Sequence, residues 1–363
     1  MARVTLEFEN HRYDVLIEPG LLRRLGECVR AVAPHARAAL VTDETVRALH
    51  GETALASLRA AGYEAVLASV PPGEDRKDLA SIELIYRALL AERLERRSPV
   101  IALGGGVVGD MAGFAAATYL RGVPFVQCPT TLLAMVDSSV GGKTGFNVPE
   151  GKNLIGAFHQ PVLVVIDPEL LRTLPERELR CGLAECIKHA VIRDAPLFDW
   201  ITEQAPAIRA LEPAALVELI RRNVEIKARV VMEDPRERGV RAHLNFGHTF
   251  AHAIEATSGY GTLLHGEAVA LGMLAATRTA IELGICGEEL LGKLAATLAA
   301  FGLATRCRLA PDGARAAAMR HDKKVAGDRL RLILPERLGH VVIRDDVPES
   351  CVRAGWEEIA ALA

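Results

Sequence analysis

The first 170 residues alternate between short apolar runs and segments with helical spacing, and this alternation constrains the fold more than any other feature. Residues 38–42 form a continuous apolar run that ends at Asp43, as expected of a strand buried in a parallel sheet. The segments that follow repeat the pattern: a helix at 44–61, a strand at 65–70, a helix at 79–95 and a strand at 99–103. Repeated β-α units predict a mostly parallel sheet covered by helices on both faces, with ligands beyond the carboxyl ends of the strands.

Further strands are predicted on either side of this repeat. Residues 4–8 and 13–17 alternate between apolar and polar side chains and are separated by a short polar segment, which is typical of an antiparallel hairpin. Residues 123–128 and 162–167 are apolar enough to add further strands to the sheet.

The pattern changes near residue 172, after which helical periodicity dominates. The clearest helical segments are 214–232, 264–283 and 288–301. We therefore predict an α/β domain with a Rossmann-like, mostly parallel sheet over residues 1–172. An all-α domain is expected over 173–363, to which residues 329–334 and 339–342 would add a short hairpin.

Composition and charge exclude several classes of protein. Of 363 residues, 50% are hydrophobic and 25% are charged, as in soluble globular proteins with a sizeable core. The formal net charge of −3 argues against nucleic-acid binding, and no apolar run reaches the membrane-spanning length of about 20 residues. The seven cysteines form no CxxC pair and the chain starts without a signal peptide, so we expect reduced thiols and a cytoplasmic location.

A glycine-rich turn separates the last strand of the repeat from a helical segment at 111–119. Gly104, Gly106 and Gly109 satisfy the pattern G-x-G-x-x-G, in which the backbone can approach a pyrophosphate at the positive end of a helix dipole. A tight turn without a ligand is the alternative. The acidic residue expected about 20 residues later is absent, so Asp43, which precedes the glycines, is the candidate for a ribose contact.

A second glycine-containing turn spans residues 137–145. It is not a P-loop, because Asp137 stands where the first glycine of that motif belongs. Lys143, Lys152 and Asn153 nevertheless offer donors that suit a phosphate group, with solvated surface side chains as the alternative.

Three of the eleven histidines fall within residues 248–265. His248 and His252 lie one helical turn apart on a shared face, and His265 follows. Grouped imidazoles are typical ligands of a divalent metal such as zinc, and a carboxylate is a common further ligand. Glu185 is the candidate carboxylate, with Lys188 three positions later on the same face; a surface ion pair is the alternative.

Further donors occur in the second half of the chain. They are Lys227, Arg241, Asn245 and the Lys323-Lys324 pair. Each one alone is most simply a solvated group. Beside a metal site and a nucleotide site, they indicate a small polyanion that carries phosphate and carboxylate groups.

Several long motifs resemble those of the 3-dehydroquinate synthase family. They are residues 104–110, 129–144, 151–156, 184–188 and 244–252, and the resemblance extends over nearly the whole chain. This family belongs to the sugar phosphate cyclases, which share a fold with metal-dependent polyol dehydrogenases. The resemblance implies a nucleotide-binding α/β domain, a helical domain, a carbon–oxygen lyase activity and a homodimer.

The resemblance also implies ligands for a metal and for NAD. Glu185, His248 and His265 correspond to the ligands of one divalent ion, zinc or cobalt, which corrects the pairing of His248 with His252. The positions that correspond to NAD contacts are Asp43, Glu74, Lys77, Gly105, Gly106, Asp110, Thr130, Thr131, Lys143, Lys152, Thr173 and Leu174. Thr45 departs from the family pattern, in which an asparagine often contacts the cofactor.

The remaining correspondences concern a phosphorylated sugar-acid substrate. The catalytic positions are His252, which would contact the substrate and transfer protons, with Asp137, Lys143, Lys188 and Asn245. The substrate-binding positions are Arg121, Lys152, Asn153, Lys227, Arg241 and, less directly because Lys323 adjoins it, Lys324. Arg121 corresponds to an arginine offered across the dimer interface to the substrate phosphate. Ala251 replaces the glycine that commonly precedes His252.

The implied reaction converts 3-deoxy-D-arabino-heptulosonate 7-phosphate to 3-dehydroquinate and phosphate, a step of the shikimate pathway to chorismate and the aromatic amino acids. Transient oxidation by NAD, loss of phosphate, reduction, ring opening and aldol closure would leave NAD unconsumed. One alternative is another sugar phosphate cyclase, such as a 2-deoxy-scyllo-inosose or valiolone synthase, whose substrate lacks the carboxylate that Lys227 and Arg241 would bind. Others are a zinc-dependent polyol dehydrogenase and a non-catalytic NAD-binding protein.

Overall fold

The computed structural model describes residues 1–237, 239–259, 262–321 and 330–361. The chain forms two compact units, the first comprising Met1–Pro175 with Pro213–Met232 and the second Glu176–Glu212 with Glu233–Ala363. The boundary near residue 172 stays a prediction about domains; in this division, the segment Pro213–Met232 belongs to the first unit.

The first unit contains a seven-stranded sheet that is mostly parallel, which confirms the predicted fold class. The strands of the described chain are β1 (Ala2–Phe8), β2 (His11–Ile17), β3 (Arg37–Asp43), β4 (Glu64–Val70), β5 (Val100–Gly104), β6 (Phe125–Pro129), β7 (Lys143–Val148), β8 (Gly151–Phe158), β9 (Leu163–Ile166), β10 (Leu332–Arg337) and β11 (His340–Arg344). The sheet order is β1-β2-β9-β6-β5-β3-β4, and only the β1–β2 pair is antiparallel. Strands β5, β6 and β9 are buried throughout, as continuous apolar runs predict.

Helices follow most strands of the first unit and make up most of the second. They are α1 (Leu25–Val32), α2 (Glu44–Val46), α3 (Glu52–Ala60), α4 (Leu79–Ala91), α5 (Gly106–Thr118), α6 (Glu176–Arg193), α7 (Ala195–Glu203), α8 (Ala205–Arg209), α9 (Pro213–Glu233), α10 (His248–Ser258), α11 (His265–Glu282), α12 (Glu288–Ala300), α13 (Asp312–His321) and α14 (Glu349–Glu358). A π-helical turn at Arg47–Gly51 connects α2 to α3, so the segment predicted as one helix at 44–61 has an irregular start.

Helix α5 begins earlier than predicted, at Gly106, so two glycines of the expected turn lie inside the helix. Glycine weakens the helical pattern in a sequence because it has a low helix propensity. Here its missing side chain permits close packing against the sheet. A Cβ atom at Gly113 would lie 2.5 Å from Thr144 Cγ2 and 3.0 Å from the Phe125 ring.

Residues 134–158 differ most from the sequence prediction. Ala134–Ser138 forms a π-helical turn, and β7 and β8 then pair as a separate antiparallel hairpin that the sequence pattern did not indicate. Strand β8 is exposed along most of its length, so burial imposes no apolar-polar alternation on it. The turn predicted at 137–145 overlaps the start of β7, and the sequence pattern predicts no strand for the rest of β7 or for β8.

In the part of the second unit that the structure describes, the elements are helices and the β10–β11 hairpin. This hairpin lies within a few residues of the one predicted at 329–334 and 339–342. Helices α6 and α11 are buried over most of their length, and the ligand candidates lie on them and on α10. Among the described residues, no helix combines the length and apolarity needed to cross a membrane.

Candidate functional site

The carboxyl ends of β3 and β5 form the point at which the strand order of the first unit reverses. Strand β4 lies on one side of β3 and β5 lies on the other, and parallel sheets bind ligands in the crevice at such a point. Thr42 pairs with Leu103, so Asp43 and Gly104 leave their strands side by side. The residues predicted to contact a dinucleotide thus follow adjacent strands.

Glycines line the start of α5 in this crevice. A Cβ atom at Gly105 would lie 3.1 Å from Thr131 Cγ2, and one at Gly106 would lie 3.0 Å from Ser138 Oγ. Thr130 follows β6 and donates its N–H to the Gly104 carbonyl at 3.0 Å. A side chain at either position would crowd these neighbours, so glycine lets the backbone lie close to them, and the N-terminus of a thirteen-residue helix at this point fits the pyrophosphate of a dinucleotide.

Lys77 and Asp110 form a buried ion pair beside this cradle. Their Nζ and Oδ2 atoms are 2.6 Å apart, and Lys77 is only 3% exposed. Burial raises the pKa of the Asp110 carboxyl, although the Lys77 ammonium partly opposes that effect. Lys77 also donates to Asn153 Oδ1 at 2.6 Å, so a predicted cofactor residue contacts a predicted substrate residue.

Other predicted residues of the first unit have separate surroundings. Lys143 and Lys152 lie exposed on the β7–β8 hairpin. Asp137 lies in the π-helical turn and accepts a bond of 2.6 Å from the buried Nζ of Lys227 on α9. Thr173 ends a 3-10 helix and its hydroxyl lies 2.8 Å from His50 Nε2, with Leu174 as the next residue.

In the second unit, Glu185, His248 and His265 bring their ligand atoms together. One ligand atom from each lies within 4.8 Å of the others. Glu185 Oε1 is 3.8 Å from His248 Nε2 and 3.7 Å from His265 Nε2. The sequence resemblance selected the same three residues, and this arrangement suits a divalent ion with an open coordination position.

The surroundings of the three side chains favour metal binding. Glu185 is 1% exposed, and its Oε1 has no hydrogen-bond partner among the described residues, although a buried carboxylate oxygen normally has one. Its Oε2 accepts a bond from the buried ammonium of Lys188, so the pair is not the surface ion pair considered above. The orphaned oxygen, directed at two imidazole nitrogens, fits an ion.

Outer contacts fix the orientation of both imidazoles. His248 Nδ1 lies 3.2 Å from the Phe246 carbonyl oxygen, and His265 Nδ1 lies 3.6 Å from Glu255 Oε2. Contacts of this kind hold a histidine in the tautomer whose Nε2 can bind a metal. Glu255 has no motif-like signal in the sequence, and it was therefore missed.

The two imidazoles differ in their electrostatics. Burial, followed by the positive charge of Lys188, places the pKa of His248 well below its usual range, so this imidazole is neutral. Burial also lowers the pKa of His265, but the bond to Glu255 and the charge of Glu185 outweigh it and raise the net pKa. A bound cation would compete with the proton at that site.

Close helix contacts place the ligands. A Cβ atom at Gly266, the residue after His265, would lie 2.3 Å from Cys181 Cα, one turn before Glu185 on α6. A Cβ atom at Gly272 would lie 2.1 Å from the carbonyl oxygen of Gly247, the residue before His248. The three ligand-bearing helices therefore touch through backbone atoms near the ligands.

His252 lies beside the cluster without belonging to it. Its ring centroid is 5.6 Å from that of His248 and 6.3 Å from that of His265.

The other predicted substrate residues of the second unit have their own contacts. Arg241 is 1% exposed and donates from Nη1 to the Pro235 carbonyl at 2.8 Å. Asn245 Nδ2 donates to Glu237 Oε1 at 3.3 Å, and Lys324 lies outside the described residues.

Family models match most of the chain. The model described as 3-dehydroquinate synthase N-terminal matches residues 67–181, and the model described as 3-dehydroquinate synthase C-terminal matches residues 182–325. The 3-dehydroquinate synthase of Nostoc punctiforme is 45% identical over 353 residues, which cover 96% of this chain and 97% of the relative.

Solved structures of related cyclases have the same fold. The 2-epi-5-epi-valiolone synthase of Streptomyces hygroscopicus, solved with NAD⁺ and Zn²⁺, has a TM-score of 0.89 and 32% identity, covering 97% of this chain and 98% of its own. A 2-deoxy-scyllo-inosose synthase, solved with carbaglucose-6-phosphate, NAD⁺ and Co²⁺, has a TM-score of 0.87 and 23% identity, covering 98% and 100%.

Proposed function

This chain belongs to the 3-dehydroquinate synthase family, and we propose that it converts 3-deoxy-D-arabino-heptulosonate 7-phosphate to 3-dehydroquinate and phosphate. The observation that carries the proposal is the cluster of Glu185, His248 and His265, in which a buried carboxylate oxygen without a hydrogen-bond partner among the described residues faces two imidazole nitrogens. The glycine cradle at the start of α5 supports NAD as the second cofactor.

The chain's own residues would hold the cofactors and move protons. When bound, a divalent zinc or cobalt ion would acidify a substrate hydroxyl, and NAD would take up a hydride and later return it. Lys188 orients Glu185, because its ammonium donates a hydrogen bond to Oε2. His252, next to the ligand cluster, would exchange protons with the substrate.

The substrate phosphate would bind to donors of the first unit. The side-chain oxygen of Asn153 accepts a hydrogen bond from Lys77, so the side-chain NH₂ group is the part of the amide that can donate to an anion. Lys143 and Lys152 lie exposed on the same hairpin. Arg121, which would reach the phosphate of a partner subunit, has a left-handed backbone with φ 68°.

The substrate carboxylate would bind to Arg241 and Lys227. The guanidinium fork of Arg241 suits bidentate contact with a carboxylate, and Asn245 lies on the same 3-10 segment, Val240–Asn245. Cyclases whose substrates lack a carboxylate do not need this pair. We therefore favour the heptulosonate phosphate over the substrates of the related cyclases.

We also propose a cytoplasmic homodimer. Strand β8 exposes Leu154 (65%) and Phe158 (57%), which are large apolar side chains suited to burial against a second copy. All seven cysteines are free thiols, in keeping with a reducing compartment. A molar mass near that of a single chain, measured by light scattering during size-exclusion chromatography, would contradict the dimer.

A phosphate-release assay tests the reaction. We expect purified protein with NAD to release phosphate from the heptulosonate phosphate but not from glucose 6-phosphate, which lacks the carboxylate. A chelator should abolish release, and added zinc or cobalt should restore it. Two results would overturn the proposal. One is phosphate release that continues unchanged in protein from which a chelator has verifiably removed the metal. The other is release from glucose 6-phosphate but not from the heptulosonate phosphate.

A further inference from the structure

Asn147 on β7 bonds three separate residues of the predicted ligand-binding set. Its Nδ2 donates to Glu74 Oε1 at 2.9 Å and to the Glu74 carbonyl at 3.3 Å. Its Oδ1 accepts from the Asn153 N–H at 3.0 Å, and its own N–H donates to the Lys77 carbonyl at 2.7 Å. The amide orientation is fixed, since the Glu74 oxygens only accept and a backbone N–H only donates.

These bonds close a ring. Lys77 donates from Nζ to Asn153 Oδ1 at 2.6 Å, so Asn147, Lys77 and Asn153 are each bonded to the other two. Lys77 is buried and also holds Asp110 at 2.6 Å, which ties the ring to α5 and its glycine cradle. All of these residues belong to the first unit.

Two members of this set need external support. Asn153 has a φ of 55°, a conformation that costs free energy in a residue with a side chain and persists where neighbours hold it. Glu74 is exposed, so its carboxylate would otherwise sample several rotamers. Asn147 restrains both, through opposite ends of one side-chain amide.

We propose that Asn147 is a positioning residue that holds Glu74 for NAD and Asn153 for the substrate phosphate. The inference rests on the proposed function, because the family resemblance gives Glu74 and Asn153 those roles. It adds a residue outside the predicted ligand set, and it assigns a separate task to each end of the Asn147 amide.

Two variants separate these tasks. Asn147→Ala removes both ends and should weaken NAD binding roughly tenfold and raise KM for the phosphate substrate roughly fivefold, as expected from the loss of hydrogen bonds. Asn147→Asp keeps an acceptor for the Asn153 N–H but replaces the donor with a carboxylate facing Glu74. Asn147→Asp should weaken NAD binding at least as much as Asn147→Ala does, while KM for the phosphate substrate changes less than about twofold.

Calorimetric titration of NAD into the full-length, NAD-stripped protein and steady-state phosphate release provide the readouts. Asn10→Ala, at an exposed asparagine in the β1–β2 turn, is the matched control and should leave both values unchanged. If Asn147→Asp affected NAD binding and KM equally, or if neither variant changed NAD binding, the inference would be wrong while the proposed function stood. Wild-type protein that bound no NAD would overturn both.

Discussion

Asn153 and Arg121 both have left-handed backbone conformations, with φ values of 55° and 68°. Such conformations cost about 1–3 kcal/mol each in residues with side chains, and they cluster where binding or catalysis requires a fixed geometry. Resemblance alone assigned Arg121 to the substrate phosphate, whereas Asn153 was also a candidate phosphate donor from the sequence itself. Four other described non-glycine residues also have a positive φ, so the backbone at Arg121 and Asn153 supports their assigned role only together with the resemblance.

The residue-scale information in the sequence has a clear limit. The three-residue spacing of Glu185 and Lys188 was visible, and their apolar neighbours at 183, 184, 186 and 187 favoured a polar cavity over a surface ion pair. The structure buries both side chains, but the residues that surround them in the fold had no signal in the sequence. Asn147 and Glu255 were not identified, since each acts on residues brought close by the fold and neither belongs to a recognisable motif. Long-range polar contacts leave no periodic signal.

His252→Ala should separate the catalyst from the metal ligands. Because the Glu185, His248 and His265 cluster is complete without it, we expect bound zinc to remain near one per chain while turnover falls about a hundredfold or more. Metal analysis of purified protein and phosphate release measure the two effects. Glu185→Ala, as the control, should lose the metal; stoichiometric zinc loss in His252→Ala would instead make His252 a ligand.

At the scale of helices, the contact of α11 with α6 sets the ligand geometry. In Gly266→Ala the new Cβ would lie 2.3 Å from Cys181 Cα and 2.4 Å from its carbonyl oxygen, so the helices must move apart. We expect stability to fall by about 1–3 kcal/mol and zinc affinity to fall about tenfold or more. Urea denaturation and chelator competition measure these quantities.

Gly292→Ala is the matched control for that substitution. Gly292 also lies inside a helix, α12, but apart from its chain neighbours and the helix's own backbone no heavy atom of the described residues lies within 4 Å of its Cβ position. Its replacement should raise stability by up to about 1 kcal/mol and leave zinc affinity unchanged. Equal zinc affinity in the two variants would show that the α6–α11 contact does not set the ligand geometry.

Glu267 at the start of α11 gives a pH-dependent prediction. It accepts from Arg177 Nε at 2.8 Å and Nη2 at 2.7 Å, and from the Leu264 N–H at 2.8 Å. Burial raises the pKa of Glu267, but Arg177 and the Leu264 N–H outweigh burial and lower the net pKa. The ionised Glu267 therefore contributes to folding stability above the unfolded-state pKa of about 4.3. That contribution is lost as the pH falls through the lower folded-state pKa.

Glu267→Gln should accordingly be less stable than the wild type at neutral pH, by at most about 1 kcal/mol because Arg177 is half exposed. The difference should shrink as the solution is acidified. Urea denaturation across an acidic pH series measures it. A difference that stayed constant with pH would contradict the assigned role of the ion pair.

The regular elements were predicted where burial imposes a pattern. The apolar runs of β3, β5 and β9 and the periodicity of α9, α11 and α12 gave correct element types. The exposed strand β8 and the glycine-rich start of α5 were missed, since neither a polar strand nor a glycine-containing helix has the usual pattern.

For the whole molecule, the fold class followed from the β-α alternation, and sequence motifs carried the family assignment. The grouping of Pro213–Met232 with the first unit had no signal in the sequence, because its amphipathic pattern specifies a helix but not the surface on which it packs. Tertiary placement depends on complementary surfaces, which periodicity does not encode.

NAD should serve this chain as a recycled cofactor and should not be consumed as a cosubstrate. The direct measurement follows phosphate release and NADH absorbance together, with NAD supplied at the enzyme's own concentration and the heptulosonate phosphate in large excess. We expect many phosphates to be released per NAD, with no accumulation of NADH. Phosphate release that stopped after one turnover per NAD, or NADH that rose in step with product, would contradict it.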